Sequence, residues 1–209
     1  MSTKFLIDKA KLIELSINEN AEEIERLDQE IGDGDHIFNV QRGIKLVIEL
    51  ESSIKDLPMS KALNTIAMKV LSGIGGSSGA LFGTLFMTMA KGKDIDQGID
   101  FDKTIEIFYD AVQAVKMRGK AEVGEKTMMD VLIPVANTLK KLSAKGEDKN
   151  NILNEVIKIA KEGMLSTKDL LATKGRASFL GERARGHIDP GARSSQIMIT
   201  TVCESVINS

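Results

Sequence analysis

The residues best suited to chemistry form an acidic turn, which we define as residues 28–35 with the carboxylates of Asp28, Asp33 and Asp35. Asp33 and Asp35 flank Gly34, and Asp28 lies on the last turns of a predicted helix, so the three carboxylates can converge. Hard divalent cations such as Mg²⁺ prefer oxygen ligands. Two carboxylates about 4 Å apart repel by about 4 kcal/mol at an effective dielectric of about 20, so a convergent trio needs a cation or protons. The spacing indicates a Mg²⁺ site, or else a solvated turn in which Asp35 only caps a helix.

A second feature is a glycine cluster, Gly73–Gly79, which contains Ser77 and Ser78 and directly precedes a predicted helix. Free backbone N–H groups and the helix dipole favour an anion such as phosphate at a helix start. The cluster is not a Walker A motif, because no Gly-Lys-Ser/Thr ends it and no strand precedes it. The alternative is a tight turn, or a close crossing of two helices.

A third feature is a basic loop, Lys174–Arg193, which contains five basic and two acidic residues and so has a local net charge of +3. Long loops within compact domains are often functional, and Arg suits bidentate phosphate contacts. The alternative is a solvated loop that pairs with acidic helices.

Taken together, these features predict the parts that phosphoryl transfer requires, namely a metal, a phosphate cradle and charge stabilisation. A nucleotide is the natural ligand. His36 and His187 could bind metal or donate a hydrogen bond, although isolated histidines are more often structural. Cys203 lies in an apolar helical stretch and is interpreted as a core residue.

The composition of the chain indicates what kind of domain must position these residues. The chain has 209 residues, 42% of them hydrophobic, and a net charge of −2, which is typical of one ordinary globular domain and argues against a nucleic-acid partner. Residues 1–209 are therefore expected to form a single domain. One cysteine and a mixed N-terminal segment predict a cytoplasmic protein, and no apolar run predicts a membrane span.

Helical periodicity recurs along nearly the whole chain, without two-residue alternation, so the fold is predicted to be all-α with eight antiparallel helices. The first is expected over Thr3–Glu30 and the second from Asp35. Five more helices are expected after Pro58, after the glycine cluster, from a cap at Asp102, from about Met128 and from Asp148. The last is expected over Ser195–Ile207. No helical stripe is found over Ala172–Arg193, and Pro134 is expected to weaken the sixth helix.

Several ordered motifs resemble the nucleotide-binding L subunit of bacterial dihydroxyacetone kinases, over essentially the whole chain. The matching segments are Leu27-Asp28 with Ile31–His36, Gly75–Gly79, Gly83-Thr84, Gly124–Met128 with Asp130, Gly175–Ser178 and Gly186–Ala192. This resemblance implies an eight-helix up-and-down barrel that binds ADP or ATP at one end through two Mg²⁺ ions.

The resemblance also implies roles for individual residues. It places the metal on Asp28, Asp33 and Asp35, and makes Arg176 the catalytic residue that stabilises charge on the transferring phosphoryl group. Nucleotide contacts are implied at His36, Ile37, Phe38, Asn39, Ser77, Ser78, Gly119, Met128, Arg176, Asp189, Pro190 and Gly191.

Partners follow from the same resemblance. Dihydroxyacetone would be held on a separate K subunit, and bound ADP would be rephosphorylated by the phosphohistidine of a phosphotransferase-system M subunit. A homodimer is compatible with this assignment. The chain departs from the family pattern at Ile37, Ser77, Lys120 and Val123. Alternative functions are a nucleotide-sensing regulatory protein, a subunit acting on another small ketose, and the nucleotide domain of a kinase for a different acceptor.

Overall fold

The computed structural model describes residues 2–209, and these contain helices, turns and loops but no strand, which confirms the all-α prediction. The α-helices are α1 (Thr3–Glu19), α2 (Ala21–Ile31), α3 (His36–Ile48), α4 (Glu51–Ile54), α5 (Met59–Gly73), α6 (Gly76–Met89), α7 (Phe101–Gly119), α8 (Met129–Ser143), α9 (Lys149–Ser166) and α10 (Pro190–Ile207). Short 3-10 helices span Ile95–Gln97, Thr167–Asp169 and Arg176–Ala184. Across residues 2–209, no helix combines the length and apolar character needed to cross a membrane.

The eight longest helices pack in a cyclic order. Helix α1 contacts α3, α3 contacts α5, and each helix from α5 to α10 contacts the next one along the chain, while α10 returns to α1. Apolar faces turn inward and form clusters of aliphatic side chains, including Ile7, Ile66, Val112, Val131 and Val156. Residues of α1, of α3 and of each helix from α5 to α10 line a central apolar cavity of about 610 Å³. Hydrogen bonds and close contacts between helix ends bring the starts of α3, α6, α8 and α10 to the same end as the C-terminal ends of α2, α7 and α9.

The helix predicted over Thr3–Glu30 is wrong as a single element, because the chain leaves helical geometry at Asn20 (φ −108°, ψ 12°). The Asn20 side chain donates to the Ser16 carbonyl at 2.8 Å and accepts from Arg193 at 3.0 Å. Arg193 also contacts Glu23 at 2.7 Å. Residues that are distant in sequence therefore fix the bend, which starts α2 and directs its last turns, with Asp28, toward α10.

Two helix starts also differ from the predictions, and a third matches in position but not in its capping bond. The cap of α7 is Asp100, whose carboxylate accepts from the Lys103 N–H at 2.8 Å, rather than Asp102. Helix α10 begins at Pro190 rather than Ser195, because Asp189 caps it and proline is well suited to a first helical position. Asp35 precedes α3 as expected, but its side chain makes no capping hydrogen bond.

Pro134 lies inside α8, which continues through it to Ser143. A proline has no N–H, so the carbonyl of Asp130, four residues earlier, lacks its usual helical donor. Gly163 of α9 lies against this carbonyl so closely that an added Cβ would be 2.3 Å from the oxygen. Glycine therefore allows α9 to approach α8 near the C-terminal end of α9.

Candidate functional site

The acidic turn does bring its three carboxylates together. One ligand oxygen from each of Asp28, Asp33 and Asp35 lies within 4.8 Å of the others. Asp28 is 5% exposed, whereas Asp33 and Asp35 are exposed. The His36 N–H donates to Asp28 Oδ2 at 2.9 Å and fixes the buried carboxylate at the start of α3. One anchored and two solvent-facing carboxylates can hold a divalent cation and leave positions for other oxygens.

The backbone around Asp28 is shaped to fit this carboxylate. A Cβ added to Gly32 would lie 1.9 Å from Asp28 Oδ1, so only glycine leaves the carboxylate where it is. Gly34 has φ +76°, which favours glycine and reverses the chain between Asp33 and Asp35. The donor set and its cradle therefore fit the predicted Mg²⁺.

Arg176 contacts this trio directly. Its Nε lies 2.8 Å from Asp33 Oδ2. The contact depends on the 3-10 helix Arg176–Ala184, because Ala177 and Ala184 pack with Ile31 at the end of α2. The basic loop therefore folds back over the acidic turn.

The start of α10 forms another wall of the site. Asp189 caps α10 by accepting from the Ala192 N–H at 2.7 Å. Burial raises the pKa of Asp189 to about 7, and the negative charges of Asp130 and Asp28 act in the same direction. The ring of His36 shares a hydrogen bond with the Ser194 hydroxyl at 2.9 Å, and burial lowers the pKa of His36. A neutral His36 thus links α3 to α10.

The remaining candidate residues lie around the same end of the helical ring. Ser77 and Ser78 occupy the first turn of α6. Gly75, which precedes α6, lies near α3, since a Cβ added to it would be 3.9 Å from Asn39 Oδ1. Gly119 ends α7 against Leu81 of α6, and Met128 lies beside Gly191. Pro190 is buried in the first turn of α10.

Ile37 and Phe38 differ in orientation. Ile37 is 2% exposed and packs with Ile17, Ile24 and Ile197 in the core, so its branched side chain points away from the acidic turn. Phe38 is 56% exposed. Only the backbone of Ile37 can contribute to a site at the start of α3.

Sequence reasoning assigned no role to Lys126, although it belongs to the Gly124–Met128 motif. Lys126 is 1% exposed, and its ammonium donates to the carbonyls of Thr167, at 2.5 Å, and His187. The only sequence signal for a role of Lys126 was the motif itself. Lysine is almost always exposed, and the burial of Lys126 depends on segments that are distant in sequence.

A family model matches most of the chain. The model of the DAK2 domain matches residues 30–204, which include Asp33, Asp35, Arg176 and Asp189. The chain belongs to the DAK2 domain family. This assignment confirms the resemblance found in the motifs.

Relatives of this family member are named for their activity. The ADP-binding subunit of the PEP-dependent dihydroxyacetone kinase of Escherichia coli (strain K12) is 41% identical over 83% of this chain and 82% of its own length. A subunit with the corresponding name from Listeria innocua is 36% identical over 92% and 91% of the two chains. These relatives are named as subunits of a kinase, that is, of a phosphotransferase.

A solved structure shares the fold. The dihydroxyacetone kinase from C. freundii, determined in complex with AMP-PNP and Mg²⁺, superposes with a TM-score of 0.73 at 21% identity. The match covers 95% of this DAK2-family chain and 33% of that one. At this identity the likeness shows the fold, and the ligands are those of that protein.

Proposed function

We propose that this chain is the ADP/ATP-binding subunit of a cytoplasmic dihydroxyacetone kinase. In this proposal it transfers a phosphoryl group from Mg-nucleotide to dihydroxyacetone held on a K subunit. Its bound ADP is then rephosphorylated in place by a phosphotransferase-system M subunit. Residues 1–209 form one nucleotide-binding domain, without a nucleic-acid or membrane partner.

One observation carries the proposal: Asp28, Asp33 and Asp35 converge within 4.8 Å, and Arg176 lies 2.8 Å from Asp33. Phosphoryl transfer requires positioning and charge stabilisation more than covalent chemistry by the protein. A carboxylate trio with an adjacent guanidinium supplies both. The names of the relatives at 41% and 36% identity support the same activity.

Asp28, Asp33 and Asp35 would hold two Mg²⁺ ions with the nucleotide phosphates. Bound Mg²⁺ supplies neutralisation of phosphate charge and orientation of the phosphate oxygens. The His36 N–H keeps the buried carboxylate of Asp28 directed into the site. Arg176 provides the positive charge that stabilises the transferring group, and its side chain is 72% exposed and therefore accessible to phosphate.

The nucleotide is assigned to the ring of residues around this trio. Ser77 and Ser78 offer hydroxyls and free N–H groups in the first turn of α6, which suit phosphate oxygens. Met128 and Gly191 lie side by side and form an apolar contact for the base or sugar. The complete proposed set is His36, Ile37, Phe38, Asn39, Ser77, Ser78, Gly119, Met128, Arg176, Asp189, Pro190 and Gly191.

Reconstitution tests the proposal. The chain is mixed with its cognate K and M subunits, a phosphoryl donor for M, Mg-ADP and dihydroxyacetone, and dihydroxyacetone phosphate is followed. Product that depends on this chain supports the proposal. ADP binding without product would favour a nucleotide-sensing regulator instead.

The same assay identifies the ketose. A more distant relative, the L-erythrulose 1-kinase of Mycolicibacterium smegmatis, is 29% identical over 89% of this chain and 33% of its own length, so L-erythrulose is the appropriate competing substrate. Faster phosphorylation of L-erythrulose than of dihydroxyacetone would assign the subunit to another ketose kinase.

A further inference from the structure

Two consecutive residues of the α7–α8 loop, Glu125 and Lys126, contact the residue that precedes the basic loop and a residue in its second half. Glu125 contacts Thr173, three residues before Arg176, and Lys126 contacts His187, two residues before Asp189. One short segment therefore contacts the chain shortly before the candidate catalytic arginine and shortly before the cap of α10.

Lys126 makes the inner contact. Its ammonium donates to the Thr167 carbonyl, at the C-terminal end of α9, and to the His187 carbonyl. Thr167 in turn accepts the Asp189 N–H on its hydroxyl at 3.0 Å. Lys126 is thus linked to Asp189 through Thr167 and through the backbone that follows His187.

Glu125 makes the outer contact. Its carboxylate accepts the Thr173 hydroxyl at 2.7 Å, and its carbonyl accepts the Thr173 N–H at 3.4 Å. The Glu125 carboxylate also accepts the Glu122 N–H at 2.7 Å, and the Lys174 ammonium lies 3.6 Å from it. Thr173 is joined by both backbone and side chain, so the first residues of the basic loop have a defined path toward Arg176.

The segment that carries both contacts is itself rigidly held. Asp130, fully buried, accepts the Gly124 N–H at 2.5 Å on one oxygen and the Thr127 N–H at 2.8 Å on the other. Lys126 has φ +60° between these two anchored residues. A non-glycine residue in this region persists when its surroundings fix it, and such positions cluster at functional sites.

A buried ammonium is costly unless its donors are satisfied, and an apolar side chain would fill the same space at lower cost. Lys126 is nevertheless 1% exposed and is directed at two carbonyls of different segments. A role in fixing the positions of these two segments explains the burial of Lys126 better than a role in filling the core.

We propose that Glu125 and Lys126 are positioning residues of the nucleotide site. Lys126 sets the start of α10 for nucleotide binding, and Glu125 sets the path of the basic loop that presents Arg176. This inference rests on the proposed function for its ligand, but the contacts it invokes exist without nucleotide.

The part of the proposal that concerns Lys126 is tested with Lys126→Met. The matched control is Lys161→Met, which changes an exposed lysine of α9. Below the melting temperature, we expect Lys126→Met to bind Mg-ADP about tenfold more weakly in calorimetry, with Lys161→Met unchanged. A merely structural role would lower the melting temperature and leave the affinity of the folded protein intact. Folded Lys126→Met with wild-type affinity would overturn this half.

Should Lys126→Met not fold, Lys126→Gln, which retains N–H donors, takes its place under the same criteria. Hydrogen exchange provides a readout that needs no nucleotide: faster amide exchange at residues 186–192 than in wild type supports the proposal, and unchanged exchange contradicts it. If neither variant folds, amides 122–128 and 186–192 of the wild type should gain protection together on Mg-ADP binding, and unchanged exchange at 122–128 contradicts the proposal.

The Glu125 half is tested with Thr173→Val, which removes the hydroxyl that Glu125 accepts, and with Thr65→Val on α5 as control. In the reconstituted kinase we expect Thr173→Val to lower kcat about tenfold while Mg-ADP affinity is retained, because Arg176 is displaced rather than the nucleotide. Unchanged kcat would overturn this half. Wild-type protein that fails to bind Mg-ADP would contradict the proposed function instead, and the exchange experiment would still decide on Lys126.

Discussion

The guanidinium Nε of Arg176 lies 2.8 Å from a carboxylate oxygen of Asp33. This contact joins the acidic turn to the basic loop, two segments whose opposite charges cancel in a chain of net charge −2. It places a positive side chain at the edge of the carboxylate trio, next to the proposed metal-nucleotide site.

Arg176→Ala is expected to reduce turnover by about 10²–10³-fold in the reconstituted kinase, because it removes charge stabilisation from the transferring phosphoryl group. Mg-ADP affinity should change little, since the carboxylates remain. Arg183→Ala, an exposed arginine of the same loop, is the control. Equal turnover of wild type and Arg176→Ala would remove Arg176 from the mechanism.

Gly32→Ala tests the cradle of the buried carboxylate. Its Cβ would lie 1.9 Å from Asp28 Oδ1, so the carboxylate must rotate away from its position beside the His36 N–H. We expect Mg²⁺-dependent ADP binding to weaken by about 10- to 100-fold, comparable with Asp28→Asn, while circular dichroism stays helical. Calorimetry measures the effect, and wild-type affinity in Gly32→Ala would show that the orientation of Asp28 is unimportant.

Asp189 should make stability depend on pH. Its pKa is raised from 3.8 to about 7 in the folded chain, so the folded state keeps a proton that the unfolded state loses. The free energy of unfolding should therefore fall as pH rises between these values and then level off. Asp189→Asn, which retains a capping oxygen, should lack this contribution in denaturant unfolding measured across this pH range. Parallel pH profiles for the two proteins would contradict the shifted pKa.

Local signals in the sequence were sufficient for much of the fold and part of the site. The 3.6-residue periodicity predicted helices because each buries one apolar stripe, and Asp148 was correctly placed as the cap of α9. The spacing of Asp28, Asp33 and Asp35 predicted their convergence, which the geometry confirms. These features depend on residues close together in the chain.

Features that depend on distant residues were not predictable. The bend at Asn20 requires Arg193, and the start of α10 requires the interactions of Asp189 with Thr167 and Ala192. Lys126 was overlooked because its burial is created by the ends of α9 and the basic loop. A single sequence contains the residues of such contacts without indicating which of them meet.

The most direct test of the central claim is titration calorimetry of ADP with the nucleotide-free chain, in Mg²⁺ and in chelator, for wild type and Asp33→Asn. Asp56→Asn, an exposed aspartate outside the site, is the control. We expect tight binding of ADP by the wild type only with Mg²⁺, and affinity at least about tenfold lower for Asp33→Asn. Equal ADP affinity with and without Mg²⁺ would contradict a metal-nucleotide site at the acidic turn.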